Sequence, residues 1–312
     1  MNIVIPDDYQ DAVRRLACFS KLAGHDVTIF TDTVQEVDAL AERFRDADAL
    51  VLIRERTRIT DALLARLPRL KLISQTGKGA AHIDLEACER RGVTVAVGTG
   101  SPVAPAELTW ALVLAAARRI PQEVARLRAG GWQSTVGTAL RGRTLGVWGY
   151  GKIGSLVAGY GRAFKMNVLV WGREGSHERA EADGFAVAAS VEDLFQQADV
   201  LSLHLRMTKE TRGIVTAALL ASMKPDALLV NTSRAELIEP GALEAALRAG
   251  RPGFAAVDVY EEEPVLGASH PLLSLENALC TPHLGYVERD SYELYFGEAF
   301  ENVLQWSRGI SA

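Results

Sequence analysis

Residues 144–154 read TLGVWGYGKIG. An apolar, strand-like run ends at a turn that holds Gly149, Gly151 and Gly154. The first glycine permits a sharp turn, the second lets a pyrophosphate approach the backbone, and the third lets the next helix pack closely on the strand. Taken alone, the three glycines describe only a tight strand-to-helix turn. A strand before them, a helix after them and a second strand, NVLVW at 167–171, predict a bound dinucleotide. Free N–H groups and the dipole at the helix N-terminus would hold its diphosphate. The residues expected along this turn are Gly149, Tyr150, Gly151, Lys152, Ile153 and Gly154.

The second strand ends at Trp171, where an acidic residue ordinarily follows to hold the adenosine ribose. Here Gly172 removes the carboxylate, Arg173 adds a cation and Ser176 adds a hydroxyl. A 2′-phosphate would lose a repulsive neighbour and gain a guanidinium, so NADP(H) is favoured over NAD(H). Glu174 as a ribose acceptor, with Arg173 merely solvated, is the alternative.

Working outward, short β-branched runs alternate with helical patterns. NIVI (2–5), DVTIF (26–30), ALVLI (49–53), LKLIS (70–74) and VTVAV (93–97) read as five strands. Between two of them, IDLEACERRG (83–92) reads as a helix ending at a glycine. A long helical segment from Pro105 to about Ala129, interrupted at Pro121, stops at Gly130 and Gly131. The pattern then restarts with six strands: TLGVWG (144–149), NVLVW (167–171), DVLSLH (199–204), ALLVNT (227–232), GFAAVDV (253–259) and ALCTP (278–282). The fold class is therefore α/β, with two doubly wound parallel-sheet lobes: a Rossmann dinucleotide-binding domain and a flavodoxin-like substrate domain. The expected division is 1–99 with 286–312 for the substrate domain and 100–285 for the dinucleotide domain. The last helix is expected to return to the first lobe.

Composition narrows the function classes. The chain has 312 residues, 48% apolar and 23% charged, the balance of a globular enzyme. Its 34 basic against 39 acidic residues give −5, which argues against nucleic-acid binding. Cys18, Cys88 and Cys280 are far apart and predict neither a disulfide frame nor a metal site. The longest apolar helix candidate, LTWALVLAAA (108–117), is too short to span a bilayer, and no leader opens the chain. The expected compartment is the reducing cytoplasm.

Three loops past predicted strands carry side chains for chemistry: NTSRAELIEPGAL with Arg234, DVYEEEP with Asp258 and Glu263, and TPHLG with His283. Each has a plainer reading. His283 could be solvated, Glu263 part of a charged face, and Arg234 a partner of Glu236. Their order decides between the readings. GxGxxG, NTxR, DVYxxEP and TPHLG, with LKLISQTGKGAAHID early and ENVLQWSRG late, resemble the D-isomer-specific 2-hydroxyacid dehydrogenase family over essentially the whole chain.

The resemblance implies hydride transfer between a nicotinamide cofactor and C2 of a small D-2-hydroxy or 2-oxo acid. His283 would be the general acid/base, Glu263 the acceptor that fixes its tautomer, and Arg234 the fork that grips carbonyl and carboxylate. Asp258 would hold the nicotinamide carboxamide, His204 and Leu205 would line the adenosine, and Thr232, Ser233 and Gly285 would complete the cofactor wall. Lys78 and Gly79 in TGKGA would present N–H groups to the substrate carboxylate. Arg54 is either pocket wall or surface ion pair. His25, His82, His177 and His270 read as surface or packing residues.

Trp132 is either an aromatic near the active-site mouth, in some relatives reaching across a dimer, or a helix-packing residue. Tyr286 stands where relatives more often carry a glycine. A homodimer is expected, and a C-terminal regulatory domain is not. A dinucleotide-sensing binding protein of the corepressor kind is the alternative function.

Overall fold

In the computed structural model, which describes residues 1–309, the chain divides into two units, Met1–Ser101 with Val287 onward, and Pro102–Tyr286. Residues 310–312 of the terminal segment lie outside the described residues.

The first unit is a five-stranded parallel sheet: β1 (Asn2–Ile5), β2 (Asp26–Ile29), β3 (Ala49–Leu52), β4 (Leu72–Gln75) and β5 (Thr94–Val97), in the order β2-β1-β3-β4-β5. This is the flavodoxin-like order. β3 and β4 are buried at every position, while the edge strand β2 exposes alternate residues and the edge strand β5 exposes its two ends. Covered faces explain why the central strands read as continuous apolar runs.

Two features of this unit follow from single residues. Asp84 caps the helix Leu85–Arg90 by accepting from the Ala87 N–H, and Gly92 (φ 65°) reverses the chain after it. The helix Arg289–Ser307 begins at Glu288, whose carboxylate accepts from the N–H groups of Asp290 and Ser291. It lays Phe296, Ala299, Phe300 and Val303 into the core, and the Ser74 hydroxyl donates to the Ala299 carbonyl at 2.9 Å. Burying each phenyl ring contributes roughly 1.5–3 kcal/mol.

The second unit is a seven-stranded parallel sheet: β6 (Thr144–Trp148), β7 (Asn167–Trp171), β8 (Ala186–Val187), β9 (Val200–Leu203), β10 (Leu228–Asn231), β11 (Phe254–Val257) and β12 (Ala278–Cys280). Their order is β12-β11-β10-β9-β6-β7-β8, which counted within the unit is 3-2-1-4-5-6 with a seventh strand added, the Rossmann arrangement. Apolar cores cover both faces. One is centred on Trp110, Val113, Val147 and Val157, the other on Phe195, Leu201, Leu220 and Leu243.

The sheet has seven strands rather than six. β8 is only two residues long, too short to show a period. The long helix also breaks earlier than its proline. One helix runs Val103–Ala117, the chain turns at Arg119 (φ 55°), and a second helix runs Ile120–Arg128. Pro121 sits in the first turn of that second helix, where its missing N–H would have had no partner anyway. Among the described residues no helix is long and apolar enough to cross a membrane.

Candidate active site

The loops that follow the strands leave the C-terminal edge of the second unit's sheet, where open α/β sheets place their ligands at the reversal of strand order. The reversal lies between β6 and β9, and the glycine turn follows β6. Gly149 (φ 102°) cannot carry a side chain: a Cβ there would lie 2.5 Å from the His204 carbonyl oxygen and 3.2 Å from Leu205. At Gly154 a Cβ would lie 2.0 Å from the Gly149 carbonyl oxygen, so any substitution drives backbone from backbone. Gly151 faces open space and caps the helix Lys152–Ala163 without a side-chain bond.

The N–H groups of Lys152, Ile153 and Gly154 therefore have no intrahelical partner. A glycine facing open space beside unspent donors at a helix N-terminus fits a diphosphate. Tyr150 contributes only backbone here. Its ring is buried against Phe185 and its hydroxyl donates to Asp183 at 2.6 Å.

After β7 the helix Glu174–Ala182 starts at Arg173. Gly172 leaves little space, since a Cβ would meet the Ser176 Cβ at 3.0 Å. The Gly172 N–H donates to His177 Nε2 at 3.2 Å, and the His177 ring stacks on Trp171 with centroids 4.8 Å apart. His177 thus packs against the end of β7, the second of the two roles expected for it. Arg179, which the sequence reading did not single out, donates to the Tyr150 carbonyl at 3.1 Å and to Ser176 Oγ at 3.3 Å. Its signal was helical phase, three residues after Ser176 on one face.

His204, after β9, shares a 2.9 Å hydrogen bond with the Ser202 hydroxyl, and burial pushes its imidazole down to about 4, so it is neutral at pH 7. After β10, Thr232 and Thr109 hydroxyls meet at 2.7 Å, and the Ser233 hydroxyl donates to the Leu203 carbonyl at 2.7 Å. Asn231 donates to the Arg234 carbonyl at 2.8 Å. These bonds fix the backbone on which the Arg234 side chain is carried.

The titratable core of the site is His283, after β12, and Glu263, after β11. Their Nδ1 and Oε2 atoms lie 2.6 Å apart, a charge-assisted distance. The second Glu263 oxygen accepts from the Tyr260 N–H at 3.0 Å. Burial pushes the Glu263 carboxyl up. The hydrogen bond to His283, its charge, the Tyr260 N–H and the Arg234 guanidinium together outweigh burial and hold it below the ordinary carboxylate range. Imidazole, carboxylate and guanidinium, distant in sequence, are thus electrostatically joined.

His283 itself adopts φ 51°, a left-handed backbone unusual for a residue with a Cβ. The loop around it is held by Asp258, which is fully buried. Asp258 accepts from the Thr281 hydroxyl (2.6 Å), the Leu284 N–H (2.7 Å) and the Gly285 N–H (2.9 Å). Burial raises its carboxyl despite these bonds. The same three bonds brace the loop that presents His283. Tyr286 stands edge-on to the imidazole, with ring centroids 5.4 Å apart.

In the first unit, Arg54, Lys78 and Gly79 gather at the C-terminal edge of that unit's sheet. The Arg54 backbone turns through φ 54°, and its N–H donates to the Thr76 hydroxyl at 2.9 Å. Its guanidinium lies so close to Gly77 that a Cβ there would fall 2.1 Å from Nη1. The Lys78 and Gly79 N–H groups are not spent on another group within the described residues. Trp132, with 72% of its surface exposed, does not pack into its own unit.

Residues 110–285 match the model of the D-isomer specific 2-hydroxyacid dehydrogenase NAD-binding domain. The chain is 39% identical over 282 residues to the glyoxylate reductase of Aeropyrum pernix, covering 87% of this chain and 83% of that one. A phosphoglycerate oxidoreductase structure from Vibrio cholerae is 57% identical, with a TM-score of 0.97 and 99% of each chain covered. A D-lactate dehydrogenase from Aquifex aeolicus, solved with NAD and lactic acid, is 28% identical, with a TM-score of 0.77 and coverage of 99% and 96%. The chain spans about half the length of the curated phosphoglycerate dehydrogenases it matches. The chain belongs to the D-isomer-specific 2-hydroxyacid dehydrogenase family and is a nicotinamide-dependent oxidoreductase of 2-hydroxy and 2-oxo acids.

Proposed function

We propose that this protein reduces small 2-oxo acids of the glyoxylate or hydroxypyruvate kind to D-2-hydroxy acids, using NADPH in preference to NADH. The observation that carries the reading is the 2.6 Å pair of His283 and Glu263, set beside Arg234 at the ligand edge of the sheet. Glu263 accepts from His283 Nδ1, which directs Nε2 outward as the atom that gives a proton to the substrate carbonyl oxygen and takes it back in reverse. Arg234 supplies a planar fork for carbonyl and carboxylate oxygens, a shape an ammonium lacks. Bound nicotinamide supplies the hydride.

The N-terminus of helix Lys152–Ala163 would hold its diphosphate, and Gly172, Arg173 and Ser176 its adenosine end. Loop 76–79 offers the unspent Lys78 and Gly79 N–H groups to a carboxylate. Relatives named glyoxylate reductase support the substrate class.

The test is a panel of 2-oxo acids assayed in parallel with NADH and NADPH. Turnover of glyoxylate or hydroxypyruvate with higher kcat/KM for NADPH is the expected result. Tight cofactor binding without turnover of any 2-oxo acid would overturn the enzyme reading in favour of a dinucleotide sensor. NADH equal to or better than NADPH would overturn the cofactor preference.

A homodimer is part of the proposal. Helix Ile120–Arg128 buries none of its residues, and Ile120, Val124, Leu127, Trp132 and Val136 are all exposed, Val136 by 96%. Glu123 pins the following segment by accepting from the N–H and hydroxyl groups of Ser134 and Thr135. An ordered apolar patch of this kind is what a second copy covers. Light scattering of the wild type at micromolar concentration should give twice the chain mass, and Val136→Glu with Trp132→Glu the single mass. A monomeric wild type would sink this part.

A further inference from the structure

We infer that Arg179 is a specificity-determining residue for the 2′-phosphate of the cofactor, acting as the second cation of a pocket formed with Arg173 and Ser176. The inference rests on the NADPH reading above and extends it to a residue outside the glycine turn and the strand end.

Three observations carry it. The first is placement: Arg179 Nη2 lies 3.3 Å from Ser176 Oγ and 3.1 Å from the Tyr150 carbonyl, so the guanidinium spans from the ribose corner to the glycine turn. Gly175, one turn earlier, lies beside its other nitrogen: a Cβ there would be in ordinary contact with Nη1 at 3.5 Å. The second is charge. A phosphate monoester carries about −1.5 to −2 at neutral pH. Arg173 alone supplies a single positive charge against it. The Thr208 hydroxyl, the backbone at Glu210 and Arg173 all hold the Glu210 carboxyl below its usual range. Arg179 makes no salt bridge with any described carboxylate, and its bonds go to two uncharged oxygens.

The third is proton direction. Arg179 donates to Ser176 Oγ, so that oxygen acts as acceptor and the hydroxyl proton is left to point at an anion. Arg173 is the extended N-cap of the helix that carries Ser176 and Arg179, so all three residues belong to one helix start. A ribose 2′-OH gains nothing from two cations. A dianion gains from both.

The alternative role for Arg179 is a brace that ties helix Glu174–Ala182 to the glycine turn through the Tyr150 carbonyl. The two roles separate by ligand. Calorimetry on the full-length wild type, Arg179→Ala and Arg179→Lys would measure Kd for 2′,5′-ADP and for 5′-ADP. In the wild type 2′,5′-ADP binds tighter. In Arg179→Ala that preference falls about tenfold, and Arg179→Lys recovers part of it. If both nucleotides weaken together and their ratio holds, Arg179 is only a brace and the inference fails. If Arg179→Ala changes neither Kd, it fails as well. A wild-type ratio near one would instead reject the NADPH reading itself, and this inference with it.

Discussion

Replacing His283 by alanine lowers kcat/KM for 2-oxo acid reduction about a thousandfold while leaving NADPH affinity within a few-fold. A positioned acid–base group contributes ~10²–10⁴ in rate, and a thousandfold corresponds to roughly 4 kcal/mol of transition-state stabilisation. The upper half of that range applies because His283 is held from two sides, by Glu263 at 2.6 Å and by the Tyr286 ring edge. The loop should survive the substitution. Asp258 anchors it through Thr281, Leu284 and Gly285, none of which depends on the imidazole.

Glu263→Gln probes the same pair from the other side. An amide still fills the space but no longer stabilises a charged ring, so a loss of about ten- to hundredfold in kcat is expected. The pair also has an acid limit. Because the folded Glu263 carboxyl lies below its usual value, it contributes stability that is fully present above the unfolded pKa of about 4.3. That contribution is lost as pH falls through the lower folded value. Steady-state kinetics with calorimetric NADPH titration decide the matter, and an alanine variant within tenfold of wild type would remove His283 from the mechanism.

The parts of this molecule that could be read from its sequence were those with a period or a forced residue. Buried strands such as ALVL and LLVN announce themselves because both faces are covered, and Gly149 and Gly154 because no side chain fits. β8 could not be read, since two residues carry no alternation. The helix break at Arg119 escaped because a proline in the first turn of the next helix resembles an interruption one step later. Site residues divided in the same way. His283, Glu263 and Arg234 lie in separate loops whose order was informative. The bonds of His177 and Arg179 depend on helical phase, which matters only once it is known which face meets the glycine turn. Asp258 shows the limit from the other direction. Its residue type is conspicuous, but its bracing of the His283 loop through three donors is something no spacing rule reports.

Exchanging the ribose corner should turn cofactor preference around, and a double substitution is needed to do it cleanly. Gly172→Asp restores the missing carboxylate, but its Cβ would press on the Ser176 Cβ at 3.0 Å. Ser176→Gly removes that Cβ and the hydroxyl that favours a phosphate, so the two changes cooperate sterically and electrostatically. An aspartate beside a 2′-phosphate sets like charges in contact, which costs several kcal/mol. The same aspartate accepts from a ribose hydroxyl with a charged hydrogen bond of about 1.5–3 kcal/mol. At about 1.4 kcal/mol per decade, the ratio of kcat/KM for NADPH over NADH should fall by roughly two to three orders of magnitude. Most of the fall should come from NADPH. Arg173 remains in place and will pair with the new carboxylate, which moderates the gain for NADH. The single Gly172→Asp variant should lose NADPH activity too, but with a lower melting temperature, because helix Glu174–Ala182 must shift to admit the side chain. Parallel steady-state assays with both cofactors measure the ratio. A double variant that keeps the wild-type preference within threefold would show that the 2′-phosphate is not read at residues 172–176.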